Sequence, residues 1–118
     1  MTSTVHYPSS VANVLGILGN KRRVLLLNYL FLFGYEQDIE VRHLARVIGG
    51  VEKGISPREV TTEDYESVYN GLIQNHLPKL AKYGIIDYDD RAKVVIVTPR
   101  IEEYVILIVI ARIISPNR

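Results

Sequence analysis

Cysteine is absent from the 118 residues, which removes disulfide bonds, thiolate metal ligands and a thiol nucleophile together. Charge of one sign is scarce. Fourteen basic side chains face 13 acidic ones, for a formal net charge of +1, and this excludes a generally basic protein that coats nucleic acid. Long hydrophobic runs are missing too. The most apolar stretch, residues 101–114, has 11 apolar residues of 14 and contains Glu102, Glu103 and Arg112. A membrane span needs about 20 predominantly apolar residues, so no membrane association is expected and some protein surface must cover this stretch. The opening Met-Thr-Ser-Thr-Val-His-Tyr-Pro has neither a basic leader nor an apolar run; no secretory signal is expected, and the expected address is cytoplasmic.

What is present is ordinary globular material, 47% hydrophobic and 23% charged, far from the composition of disordered chains. No repeat, low-complexity tract or Pro/Gly/Ser-rich linker divides it. One domain over residues 1–118 is expected, with a core over 9–97 and an apolar C-terminal helix over 98–118. The charge is unevenly spread. Residues 1–35 carry +3 from Lys21, Arg22 and Arg23, residues 36–66 carry −4, residues 67–86 carry +2 from Lys79 and Lys82, and residues 87–118 cancel. A local basic patch remains possible under a near-neutral total.

Ser9-Ser10 offers an N-cap for a first helix ending near Leu18, with Val11, Val14, Leu15 and Leu18 spaced as one apolar face. Asn20 caps a second, from Lys21 to about Phe33, whose residues 24–33 are apolar except Asn28 and so should be buried nearly all round. A third runs from Val41 to Ile48, with Arg42, His43 and Arg46 on its polar side, and Gly49-Gly50 predicts its end. Residues 49–61 read as a long loop. A fourth helix starts at Thr61 or Thr62 with Glu63, Asp64 and Glu66 in its first turns and reaches Tyr83, kinked or broken at Pro78. Two β-rich runs then flank the turn Asp89-Asp90-Arg91-Ala92 as a hairpin. Thr98-Pro99 opens a final helix, although the β-branched Val105, Ile106, Ile108, Val109 and Ile110 allow a buried strand as the alternative over residues 104–111.

This order is mainly α with a small β-hairpin. Its wording resembles known proteins. LGNKRRVLLLNYL resembles the first core helix of ArsR-type bacterial and archaeal repressors, and NHLPKLAKYGIIDYDD resembles their exit from recognition helix to wing. The block over residues 15–89 resembles small archaeal winged-helix proteins. The resemblance implies a winged helix-turn-helix domain acting as a DNA-binding transcriptional regulator. Two features depart from the ArsR pattern: about a dozen residues stand where a short turn is usual, and the reading helix starts with acids. A break near Asn70-Gly71 would set those acids aside. The cysteine ligands of the metal-sensing members have no counterpart.

Asn70, Gln74 and Asn75 have amides that pair bidentately with adenine in the major groove; a merely solvated helix face is the other reading. Lys79 and Lys82 would meet phosphates, as would Arg91 and Lys93 in the hairpin, where Asp87, Asp89 and Asp90 oppose them. Lys21, Arg22 and Arg23 at a helix start call for a partner, either phosphate or a carboxylate from residues 36–66. His6, His43 and His76 show no ligand spacing, and His76 reads as a partly buried helix residue. The eight tyrosines, Tyr7 among them, are scattered and read as core or interface rings. No catalytic set, P-loop or dinucleotide fingerprint is present, so no enzymatic activity, cofactor, metal or small-molecule ligand is expected. The apolar C-terminal helix exceeds what one small core can bury. Tyr104, Val105, Leu107, Ile108, Ile110, Ala111 and Ile114 are therefore expected at a homodimer interface. The alternative function is a protein–protein interaction module that does not touch nucleic acid.

Overall fold

Side-chain caps set the first two helices of the computed structural model, which describes residues 10–115. The Ser10 hydroxyl accepts the Asn13 amide at 3.1 Å and starts α1 (Val11–Leu18). Asn20 accepts the Arg23 amide, also at 3.1 Å, and starts α2 (Lys21–Leu30). Each oxygen satisfies an amide that a first helical turn leaves unpaired. Ser9, His6 and Tyr7 lie outside the described residues. The buried stripe of α1 is Val14, Ile17 and Leu18, whereas Val11 and Leu15, expected on it, are 75% and 61% exposed. On α2 Leu26, Leu27 and Leu30 are fully buried, but the helix stops before Phe31 and Leu32, which are exposed, so burial all round does not hold.

Strand β1 (Ile39–Glu40) leads directly into α3 (Val41–Lys53). The helix passes through Gly49 and Gly50, where the sequence predicts a stop. These glycines permit close approach: a Cβ on Gly50 would stand 2.7 Å from the Ile55 carbonyl oxygen, and one on Gly49 3.2 Å from Val60. The terminator is Gly54, at φ +70°, whose amide returns to the Gly50 and Val51 carbonyls. A 3₁₀ turn (Pro57–Glu59) follows, held by a reciprocal box in which the Ser56 hydroxyl accepts a turn amide and Glu59 accepts the Ser56 amide.

Thr61 caps α4 (Thr62–Gly71), whose first turn holds Glu63 and Asp64. A π-helical segment (Leu72–His76) then joins it to α5 (Leu77–Lys82), so the helical path from 62 to 82 is continuous. Pro78 has no amide for Gln74. The expected kink takes the form of one wide turn, in which the Leu77 amide reaches the Leu72 carbonyl five residues back.

β2 (Ile86–Asp89) and β3 (Val94–Val97) form the expected hairpin. Asp89 holds its turn by accepting the Arg91 and Ala92 amides at 3.0 Å. The sheet has a third strand that the sequence reading lacks. It is antiparallel, in the order β1-β3-β2, with Ile39 opposite Val95 and Ile86 opposite Val97. Residues 101–114 are helical, as α6 (Ile101–Ile114), which removes the strand alternative. It is capped at Arg100, two residues later than expected, and Thr98 leads the turn before it, its carbonyl accepting the Ile101 amide at 3.1 Å. Ile101, Tyr104 and Ile108 recur at helical spacing and are buried where α6 meets α1 and α2. The molecule is thus mainly helical with a small three-stranded antiparallel sheet, and its core lies among α2, α3, α4–α5 and the sheet.

Candidate functional site

The rod formed by α4, the wide turn and α5 keeps Val68, Leu72, Leu77 and Leu80 in the core and turns its other side to solvent. Asn70, Gln74, Pro78 and Lys82 recur every four residues and are all exposed, so they form one stripe. Gly71, Asn75 and Lys79 make the adjacent stripe, at the edge where Arg22 of α2 comes up to Gly71. Asn75 is exposed and Lys79 half-buried. The structure therefore gathers the three amides and two lysines along one rod. It also keeps the acids with them. Glu63 and Glu66 are exposed, Glu66 one turn before Asn70, and no break near Asn70-Gly71 sets them aside.

Arg91 is exposed at the hairpin turn. Lys93 is half-buried, with its Nζ 3.0 Å from an Asp90 carboxylate oxygen, so an aspartate does oppose it. Lys93 also lines a hollow of about 260 Å³ with Glu40, Arg42, Tyr69 and Ala92. The turn end of the hairpin therefore adjoins the start of α3 and the C-terminal end of α4.

The basic triplet of α2 finds protein partners. Arg22 donates to both carboxylate oxygens of Glu52, at 2.7 and 2.9 Å, so the carboxylate alternative holds for it. Arg23 is buried. Its Nε and Nη2 donate to the Ile17 and Gly16 carbonyls at 3.1 and 3.0 Å, in the last turn of α1, where the helix dipole favours a cation. Its Nη1 is 3.3 Å from His76 Nδ1. Burial, then the Arg23 and Arg22 charges, push the His76 pKa down to about 4.

A cationic cluster absent from the sequence expectations lies between α3, the 3₁₀ turn and α4. There an open cleft of about 570 Å³ is lined by Glu40, Arg42, His43, Arg46, Pro57, Arg58 and Tyr65. Arg42 and Arg46 are one turn apart, which was the readable signal, but residues 36–66 sum to −4 and the total hid them. Arg46 sits 4.6 Å over the Tyr65 ring, and Tyr65 lies 5.7 Å from Tyr69. His43 Nε2 is 2.7 Å from the Tyr29 hydroxyl.

On α6 the expected interface residues divide. Tyr104 and Ile108 are 2% and 5% exposed; they belong to the subunit's own core and have no area left to give a partner, which corrects their placement at an interface. Val105 is half-buried, and Leu107, Ile110, Ala111 and Ile114 are exposed. Ile106, Val109 and Ile113, not expected there, are exposed beside them.

Among the described residues, no group of three or more His, Asp or Glu side chains is placed to hold a metal ion, and no helix is long and apolar enough to cross a membrane. These features define a small helical domain with one solvated helical rod beside a short hairpin. The model of the family described as Domain of unknown function (DUF7344) matches residues 15–96, and the chain belongs to that family. The matched region runs from within α1 into β3 and leaves α6 outside. No curated protein and no solved structure matches the chain significantly.

Proposed function

We propose that this chain is a winged helix-turn-helix protein that binds duplex DNA as a homodimeric transcriptional regulator. The observation that carries the reading is the exposed stripe of Asn70, Gln74 and Lys82 on a helix followed by a hairpin wing. The order α2, β1, α3, α4–α5, β2, β3, with β1 paired to β3, supports it. In this reading α4–α5 enters the major groove, the amides of Asn70, Gln74 and Asn75 reach base edges, and Lys79, Lys82 and Arg91 meet phosphates.

The homodimer follows from apolar surface. Val11, Leu15, Ile106, Leu107, Val109, Ile110, Ile113 and Ile114 are all exposed on the adjoining helices α1 and α6. Apolar side chains exposed in such number on two adjoining helices go beyond the single scattered ones normal on a monomer's surface and mark a face for a partner. A twofold axis through this face would set two reading helices into major grooves about 34 Å apart.

The test is anisotropy of labelled duplex between about 50 and 200 mM salt. Binding should weaken as salt rises, and Lys82→Ala should lower the log–log slope by about 1. No binding at the lowest salt, or an unchanged slope, refutes the reading. One observation favours a protein-binding module instead: Glu63 and Glu66 are exposed along the same rod and would repel phosphate.

A further inference from the structure

We infer that the cleft between α3, the 3₁₀ turn and α4 is a phosphate-binding site, with Arg46 and Arg58 as its ligands and the Glu40-paired Arg42 at its rim. Residues 36–66 hold four basic side chains against eight acids. Folding nevertheless places three of the four around one cleft whose lining has Glu40 as its single acid. A solvated surface has no need of that sorting.

The chain shows what its structural arginines look like. Arg22 grips Glu52 with two bonds, and Arg23 is spent on two carbonyls. Arg46 and Arg58 have no carboxylate within ion-pair distance among the described residues, whereas Arg42 donates to both carboxylate oxygens of Glu40 at 3.1 and 3.3 Å and contributes its charge to the rim while Arg46 and Arg58 carry the free forks. Stacking on the Tyr65 face orients Arg46 and leaves the edge of its planar fork, where the N–H groups lie, open to an anion. Arg58 is positioned by the backbone. Gly50 admits the Ile55–Pro57 backbone against α3, and the Ser56–Glu59 box fixes the 3₁₀ turn that carries Arg58 to the cleft. Guanidinium forks arranged around one opening match the several oxygens of a phosphate better than a single carboxylate. The phosphate comes from a free phosphorylated molecule or from a nucleic-acid strand. The site itself does not depend on the DNA reading.

The full-length protein is titrated calorimetrically with inorganic pyrophosphate, and separately by anisotropy with duplex DNA. Pyrophosphate should bind, and Arg46→Ala and Arg58→Ala should each weaken it roughly tenfold, with Arg112→Ala, an exposed cation on α6, unchanged. Arg58 is exposed on a turn, so its removal tests the site even if Arg46→Ala perturbs the contact with Tyr65. Arg58→Lys, which keeps the charge and loses the fork, should fall between. Competition by duplex identifies a strand as the source, as does weakened duplex binding in the arginine variants without pyrophosphate binding; pyrophosphate binding without competition identifies a free ligand. Absence of pyrophosphate binding together with duplex binding untouched by both arginine variants overturns the site, whatever Lys82 does. An equal loss at Arg112→Ala overturns it too, since general charge would then suffice.

Discussion

Nη1 of Arg23 lies 3.3 Å from Nδ1 of His76, so a permanently charged guanidinium and a titratable ring share one buried place between α2 and the wide turn of the rod. The geometry suits an unprotonated Nδ1 that accepts from Arg23. A proton there would set two cations side by side, and burial alone already disfavours it.

A pH dependence follows. The His76 pKa falls from 6.5 to about 4 on folding, so between these values the unfolded chain binds more protons than the folded one. Stability is then complete above pH 6.5 and is lost as pH drops toward 4. The loss should be about 2 kcal/mol between roughly pH 7.5 and 5. Urea unfolding at both pH values checks it, and His76→Gln should flatten the dependence over that window. A parent protein equally stable at both would show that the ring protonates freely in the fold.

Two glycine substitutions should act in opposite directions. Gly50→Ala drives a methyl group to 2.7 Å from the Ile55 carbonyl oxygen and 3.2 Å from the Pro57 nitrogen; both are backbone atoms with little freedom to yield. A loss of about 2 kcal/mol is expected. Gly16→Ala meets nothing within 4 Å, and in a helix interior it should add about 0.5–1 kcal/mol. Denaturant midpoints of the two variants decide.

Local chemistry made much of this fold readable in the sequence. The caps at Ser10, Asn20 and Thr61 and the Asp89 turn each depend on neighbours within three residues. What depended on distant partners was not readable. Gly49-Gly50 reads as a helix end because a glycine that ends a helix and one that admits another backbone are written alike. β1 has two residues, too few for alternation to register. Pro78 announces a disturbed helix without its form. The amide stripe follows from four-residue spacing, whereas the arginine cleft needs Arg58 brought to α3 from another turn. In α6 nearly every position is apolar, so periodicity is silent about which face Ile101, Tyr104 and Ile108 bury.

Self-association through α6 can be separated from folding. Ile110 and Ile113 are 45% and 75% exposed, but Ile108 is 5% exposed. Ile110→Asp with Ile113→Asp should leave a folded monomer in sedimentation equilibrium. Ile108→Asp should destabilise the subunit by several kcal/mol, since it buries a charge without a partner. A parent protein that sediments as a monomer at all concentrations contradicts the dimer.

The acids of α4 distinguish the two functional readings. Glu66 stands one helical turn before Asn70, and both are exposed, so a groove that receives the amide also brings phosphates toward the carboxylate. In water a unit charge pair at about 4 Å is worth about 1 kcal/mol, and screening reduces it with distance. Glu63→Gln with Glu66→Gln should therefore tighten duplex binding roughly fivefold at low salt, with the gain fading as salt rises. If the rod instead receives a basic protein surface, the same substitutions weaken that complex and leave duplex binding where it was. Parallel anisotropy titrations of parent and double variant against duplex at two salt concentrations read the sign directly, and a tightening that vanishes at high salt places phosphate beside these carboxylates.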